Sequence, residues 1–297
     1  MIKDYGQSIR TKLLNISKTE KQEYMKVLGR YFHERLLYRI SVSQYKSNLM
    51  LKGSSLLYAH YQFAARPTID IDLLGEHIDR DQRNLVTVFK EILSIPCEED
   101  GVTFDVETIQ AEPIAIEKKY PGTNLSFVAH LHTIVYQVSI DIGFGDVITP
   151  HPVLINYPLL VKGVPSVDVY SYSLETLIAE KFQAMIERDV DNSRMKDFYD
   201  LYHLFHTEDI DHEVLQEAIR NTFANRNTSY SENKHLFNED FANDANRNMR
   251  WKAFLKKLRL KDETTFPEVM ATLRENLQKY WNPESFNDSN HTQIPTR

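Results

Sequence analysis

The sequence predicts an α+β chain: a domain built on a mixed β-sheet, followed by a helical domain. Three observations predict it. Helical and strand-like runs interleave up to about residue 143; a proline-rich stretch follows; from Ser173 onward the periodicity is helical. The chain has 297 residues, enough for two domains, and only 9 glycines, which favours helices over many tight hairpins. The expected division is a sheet domain with an N-terminal helical arm over 1–165, a helical domain over 166–285, and a disordered tail over 286–297.

Residues 7–48 read as mostly helical. Ser17 is a candidate cap for a long amphipathic run through Tyr24, Val27, Leu28, Tyr31, Phe32, Leu36 and Leu37. A short strand at Leu49–Leu51 precedes a helix at Ser54–Ala64. Arg66-Pro67 punctuates before a strand at Thr68–Leu74. Residues 81–94 are amphipathic helix. Residues 102–118 and 126–143 alternate as strands, with a turn at Pro121-Gly122. Residues 150–172 carry four prolines and Gly163 and read as a linker with short extended pieces. Ser173 caps the next helix, LETLIAEKFQAMIER, with Glu175 in its first turn. Helices with polar loops follow to Tyr280, among them a basic one at Trp251–Leu260.

Composition excludes some classes. Hydrophobic content of 42% and charged content of 26% are ordinary for a soluble globular protein. Cys97, the single cysteine, excludes an intramolecular disulfide framework, fits a reducing compartment, and reads as a buried structural thiol. No apolar signal core or ~18-residue apolar run is present, so a cytoplasmic protein with no membrane span is expected. Net charge is −7. Basic residues nevertheless cluster: ten lie within 1–46 against four acidic, and seven within 247–261 against none. Each cluster is either a phosphate-backbone surface or a solvated helix face.

The chemistry concentrates at Lys52-Gly53-Ser54-Ser55 and at Asp70-Ile71-Asp72. Strand alternation puts the two carboxylates on one face, roughly 6.5–7 Å apart at their α-carbons. Mg²⁺ takes oxygen ligands, one or two carboxylates plus substrate phosphates. Backbone N–H groups at a helix start can hold those phosphates. Asp141 is either a third acid for the pair or a solvent-facing aspartate at the end of an edge strand. On the 174–188 helix the stripe Leu174, Ile178, Lys181, Met185, Arg188 puts Lys181 on the apolar seam. There it either pairs with a core carboxylate or, with Arg188 about 10.5 Å further along, faces a triphosphate. Arg194, Lys196, Asp197 and Asp200 form a helix start whose acids either orient those cations or stabilise the helix. The eleven histidines show no metal spacing.

These motifs together resemble the AbiEii/AbiGii-type nucleotidyltransferases, toxins of type IV toxin–antitoxin and phage-defence systems, with MenT-type toxins as relatives. The matching features are the Lys-Gly-Ser turn leading to Asp-x-Asp, the Lys-x₆-Arg helix of Lys181 and Arg188, and Arg194-x-Lys196-Asp197-x-x-Asp200-Leu201. RLLYRISVS at 35–43 and AIRNTFANRNT at 218–228 are also similar to family segments. Ser54 stands where many relatives have a second glycine, but Gly-Ser is usual across the wider polymerase-β-like group. The resemblance implies a polymerase-β-like domain and a transfer of NMP from an NTP, releasing pyrophosphate. It implies two Mg²⁺ ions, or Mn²⁺, on Asp70, Asp72 and Asp141. Lys52, Gly53, Ser54, Ser55, Lys181 and Arg188 would hold the triphosphate, with Lys181 counted as catalytic. The implied acceptor is RNA, the tRNA 3′ end above all, and the implied partner is a separately encoded antitoxin. The alternatives are transfer to a protein hydroxyl, or a catalytically silent nucleotide- or RNA-binding module.

Overall fold

The computed structural model describes residues 4–66, 68, 70–114, 122–258 and 263–286. Its contacts divide the chain into two units. One comprises residues 1–146 and 152–172, the other 147–151 and 173–297.

The first unit is a mixed seven-stranded sheet with helices. Its strands are β1 Leu49–Lys52, β2 Ile71–Gly75, β3 Val102–Pro113, β4 Gly122–Leu131, β5 Ile134–Phe144, β6 Val153–Tyr157 and β7 Val167–Ser171, in the order β3-β4-β5-β2-β1-β7-β6. Its helices are α1 Tyr5–Thr19, α2 Tyr24–Val42, α3 Gly53–Tyr61 and α4 Gln82–Leu93. β2 runs parallel to β5 and antiparallel to β1, and β1 runs parallel to β7. This register sorts residues by face. Leu51, Leu73 and Ile142 form one apolar row and are buried. The next row, Lys52, Asp72, Asp141 and Asn124, projects to the other side.

α2 covers the apolar face, and Phe32 stacks on Tyr136 of β5 with ring centroids 5.0 Å apart. The helix is buried almost all round. Arg30, Arg35 and Arg39, counted above in a basic surface stretch, are therefore interior residues. Arg39 holds the Asp100 carboxylate and donates to the Val102 carbonyl at 3.1 Å. Arg35 pairs with Glu34 at 2.7 Å and donates to the Pro165 carbonyl at 3.2 Å. Burial raises the Glu34 carboxyl to about 7 despite Arg35, and it accepts the Leu160 N–H at 2.6 Å. Burial also lowers His33 to about 4, with Arg30 adding to the effect.

Several sequence expectations shift here. Ser17 lies inside α1 and its hydroxyl donates to the Gln22 carbonyl at 2.8 Å; α2 begins after Glu23. The run 126–143 is two strands turned at His132-Thr133, with His132 in the left-handed region at φ 53°; no glycine or asparagine announces that turn. The stretch 150–172 is not a linker. It contributes β6 and β7, whose short alternating runs are obscured by the prolines. Cys97 is half-buried rather than buried. Pro67, Pro121, Lys3, Arg259, Lys261 and the tail from 287 lie outside the described residues.

The second unit is helical among its described residues: α5 Leu174–Arg188, α6 Met195–Thr207, α7 His212–Asn225, α8 Glu239–Asn243, α9 Ala245–Leu258 and α10 Phe266–Leu277. Ser173 caps α5 as expected, accepting the Thr176 N–H at 3.1 Å. Segment 147–151 is fastened through Thr149, whose carbonyl accepts Ser173 at 2.6 Å and Thr176 at 3.0 Å. Apolar burial on α5, α6, α7 and α10 supplies the core, with Phe182 against Phe223 and Phe198 against Phe266. Among the described residues no helix is long and apolar enough to cross a membrane.

Asp100→Ala removes one partner of a buried pair and leaves the Arg39 guanidinium inside. The expected loss is about 3–5 kcal/mol of unfolding free energy. Urea denaturation checks this, and a loss below about 1 kcal/mol would contradict it.

Candidate active site

The site begins where β1 ends. Lys52 is the last strand residue and the N-cap of α3, and it brings no side-chain oxygen to the first-turn amides. Those N–H groups carry the positive end of the helix dipole. Gly53 must be glycine for two reasons. Its φ is +65°, and a Cβ there would run into the Asp72 carboxylate. The turn and β2 are thus in contact at the carboxylate itself. Ser54 is buried and its hydroxyl accepts from the buried Arg66. Ser55 donates to the Asp70 carbonyl at 3.4 Å, and Thr68 to the same oxygen at 3.1 Å.

Asp72 sits between two registered neighbours, Lys52 on β1 and Asp141 on β5. Asp141 is not at a sheet edge, because β5 is flanked by β2 and β4. The Asn124 amide, its partner on β4, donates to Asp141 Oδ1 at 2.7 Å and to Ser139 at 2.9 Å. Asp70 is placed differently. It lies in a bend one residue ahead of β2. The Tyr136 hydroxyl is raised above its usual value chiefly by burial and secondarily by the Asp70 charge. Tyr136 points to the α2 side of the sheet. Among the described residues, no three His, Cys, Asp or Glu side chains gather as a metal-holding group. The side-by-side acids are Asp72 and Asp141. Their donor set is all oxygen, which suits a hard cation bound together with phosphate.

Lys52 completes the rung. Its ammonium lies 2.7 Å from Asp146 Oδ2 and 3.3 Å from the Tyr172 hydroxyl.

The second unit gathers a different set. Lys181 is buried, and its ammonium donates to Asp197 at 2.9 Å and Asp200 at 2.8 Å. Arg194 Nε lies 2.7 Å from the other Asp197 oxygen. Burial alone would raise the Asp197 carboxyl. Lys181 and Arg194 outweigh it and hold the group at about 2. Here Lys181 is the partner of core carboxylates. Arg188, expected on the same inward seam, is exposed as the last residue of α5; the helix stops there, with Asp189 at φ 41°. Lys196 is exposed.

The comparisons with known proteins bear on this arrangement through the family. The family model described as "Nucleotidyl transferase AbiEii toxin, Type IV TA system" matches residues 35–275. The chain belongs to the AbiEii nucleotidyltransferase family. As a member it is a nucleotidyltransferase of the toxin class. No curated protein matches it. Among solved structures, it is similar to a nucleotidyltransferase from H. pylori, with 15% identity, TM-score 0.47, and coverage of 85% of this chain and 93% of that one. JHP933 from Helicobacter pylori has 13% identity, TM-score 0.43, and coverage of 84% and 90%. An antigenic nucleotidyltransferase-like protein from Paracoccidioides brasiliensis has 16% identity, TM-score 0.38, and coverage of 66% and 89%.

Sequence reasoning gave no role to Asn124, Arg66, Asp146 or Tyr172 in this AbiEii chain. Asp146 carried a faint signal, as the acid closing Gly143-Phe-Gly. Asn124 and Tyr172 carried none, because only strand pairing brings them to the site.

Asp197 sets a pH test. Its folded value of about 2 lies below the ordinary 3.8, so its contribution is fully present above about pH 4 and is lost as pH falls through 2. Thermal melts from pH 5 to 2 should show an acid limb that flattens in Asp197→Asn. A limb of equal steepness in both proteins would contradict the assignment.

Proposed function

We propose that this AbiEii-family chain is a Mg²⁺-dependent enzyme that transfers NMP from an NTP to an RNA hydroxyl, the tRNA 3′ end being the acceptor put forward. The observation that carries this is the Lys52–Asp72–Asp141–Asn124 rung beside the α3 N-terminus, whose cap residue Lys52 brings no side-chain acceptor.

Asp72 and Asp141 would hold the cation, and Asp70 would join them from the entry to β2. When bound, Mg²⁺ supplies charge stabilisation at the phosphates and at the attacking and leaving oxygens. The protein's own contribution is positional. The first-turn amides of α3 receive phosphate oxygens through direct N–H donation and the helix dipole. Lys52 adds a cation one strand away from Asp72. Asn124 holds one oxygen of Asp141, which would restrain the carboxylate and leave its other oxygen for the cation. Asp141 would also accept the acceptor hydroxyl proton as that oxygen attacks the α-phosphorus. The α-phosphorus bond to the bridging oxygen breaks and pyrophosphate leaves.

In the second unit, the exposed Arg250, Lys252, Lys256 and Lys257 of α9 are assigned to RNA backbone contact. Lys181 and Arg188 retain the triphosphate role that the family resemblance implies. In Lys181 that role would depend on the geometry set by Asp197 and Asp200. A separately encoded antitoxin and a cytoplasmic setting belong to the same reading.

A transfer assay tests it: protein, Mg²⁺, each labelled NTP in turn, and total bacterial tRNA. One NTP should label RNA, with loss of at least about a hundredfold in Asp72→Asn and on chelation by EDTA. Label confined to protein would move the acceptor to a protein hydroxyl. Absence of label with all four NTPs would contradict RNA transfer, and calorimetry with Mg·NTP would then tell a silent nucleotide-binding module from none.

A further inference from the structure

Lys52 has a carboxylate directly across the strand pair, and its ammonium also meets two groups from further along the chain. Three segments distant in sequence meet at it: the end of β1, the loop after β5, and the residue after β7. Asp146 Oδ2 lies 2.7 Å from Lys52 Nζ, and the Tyr172 hydroxyl lies 3.3 Å from Nζ and 3.5 Å from the same Asp146 oxygen. The ammonium also stands 5.3 Å from the Tyr172 ring centroid. The side chains of Lys52 and Asp146 are only 15% and 9% exposed.

The backbone is shaped for this meeting. Gly145 has φ +81°, in the left-handed region, and turns the chain so that Asp146 faces back toward β1. The pair lies close over β5: a Cβ on Gly143 would stand 3.5 Å from Lys52 Nζ and 3.8 Å from Asp146 Oδ2, ordinary contact distances. Tyr172 is almost wholly buried, and its N–H donates to the Leu51 carbonyl at 3.0 Å. The residue that bears on the lysine is thus strapped to the lysine's own strand. A flexible four-carbon stem ends in a point charge with fixed direction.

We propose that Asp146 and Tyr172 are positioning residues for Lys52: they hold its ammonium beside the Asp72–Asp141 rung, where it receives a phosphate oxygen of the nucleotide. The proposal rests on the nucleotide reading above. Neither residue touches the reacting atoms. Asp146 supplies the counter-charge that keeps a half-buried lysine paired and aimed. Tyr172 supplies a hydroxyl and a ring wall that restrict its rotamers. Preorganisation of this kind lowers the ordering cost that a free lysine would incur on binding.

A double-mutant cycle on the full chain tests this, with Mg·ATP, Mg·GTP, Mg·CTP and Mg·UTP as calorimetric probes and thermal melts as a control for folding. Asp146→Asn should weaken the nucleotide that the wild type binds about five- to twentyfold. Tyr172→Phe should weaken it about two- to fivefold, and Asp146→Glu should recover part of the loss. In a protein that already carries Lys52→Gln, adding Asp146→Asn should cause no further loss. An equal loss in both backgrounds would show that Asp146 acts independently of Lys52 and would overturn the proposal. Unchanged affinity in Asp146→Asn, with Lys52→Gln impaired, would overturn it too. A wild type that binds none of the four nucleotides would overturn the nucleotide reading itself and this proposal with it. If Asp146→Asn melts far below the wild type, Tyr172→Phe and its cycle with Lys52→Gln decide by the same criteria.

Discussion

The in-register pairing of β1, β2 and β5 is the constraint from which the site follows. One register puts Leu51, Leu73 and Ile142 under α2 and puts Lys52, Asp72 and Asp141 on the opposite side. A slip of one residue would bury three charges and expose three apolar side chains. Apolar burial at about 25 cal/mol per Å² therefore fixes the placement of the carboxylates, although they contribute nothing to it themselves. The close approach of Gly53 to Asp72 adds a second lock, since any side chain at position 53 would have to displace the carboxylate.

Charge inside this protein is handled by pairing. α2 carries Arg39 against Asp100 and Arg35 against Glu34, and the second unit carries Lys181 against Asp197 and Asp200. Burying each ion alone would cost several kcal/mol, and mutual attraction in low dielectric offsets much of that. Such pairs add little net stability, but they fix geometry because a partner cannot leave without stranding the other. The same logic holds Lys52 between Asp146 and Tyr172, at a less buried position beside the carboxylate rung.

Much of this was legible from residue pattern. The apolar–polar alternation of Tyr136–Ile142 places Asp141 on the face opposite the core, and the α5 cap at Ser173 follows from side-chain chemistry. The Gly53 turn and Asp72 were likewise visible as a pair of neighbouring signals. What stayed hidden depends on pairing between distant segments. Nothing local marks Asn124 as the cross-strand partner of Asp141, or Tyr172 as a neighbour of Lys52. At Asp70 alternation has less to say, because the strand begins one residue later. Helical spacing misleads at Arg188 because α5 ends on that residue. Counting Arg30, Arg35 and Arg39 as surface charge failed because α2 is enclosed nearly all round, which a charge count cannot reveal.

The central claim is that Asp72 and Asp141 together form a cation site served by the α3 N-terminus. Anomalous diffraction from crystals grown with Mn²⁺ and a non-hydrolysable NTP analogue tests it most directly. The account predicts a manganese peak in contact with carboxylate oxygens of both Asp72 and Asp141, with phosphate oxygens at the first-turn amides of α3. Manganese bound elsewhere in the chain, with these two carboxylates bare beside an ordered nucleotide, would contradict it.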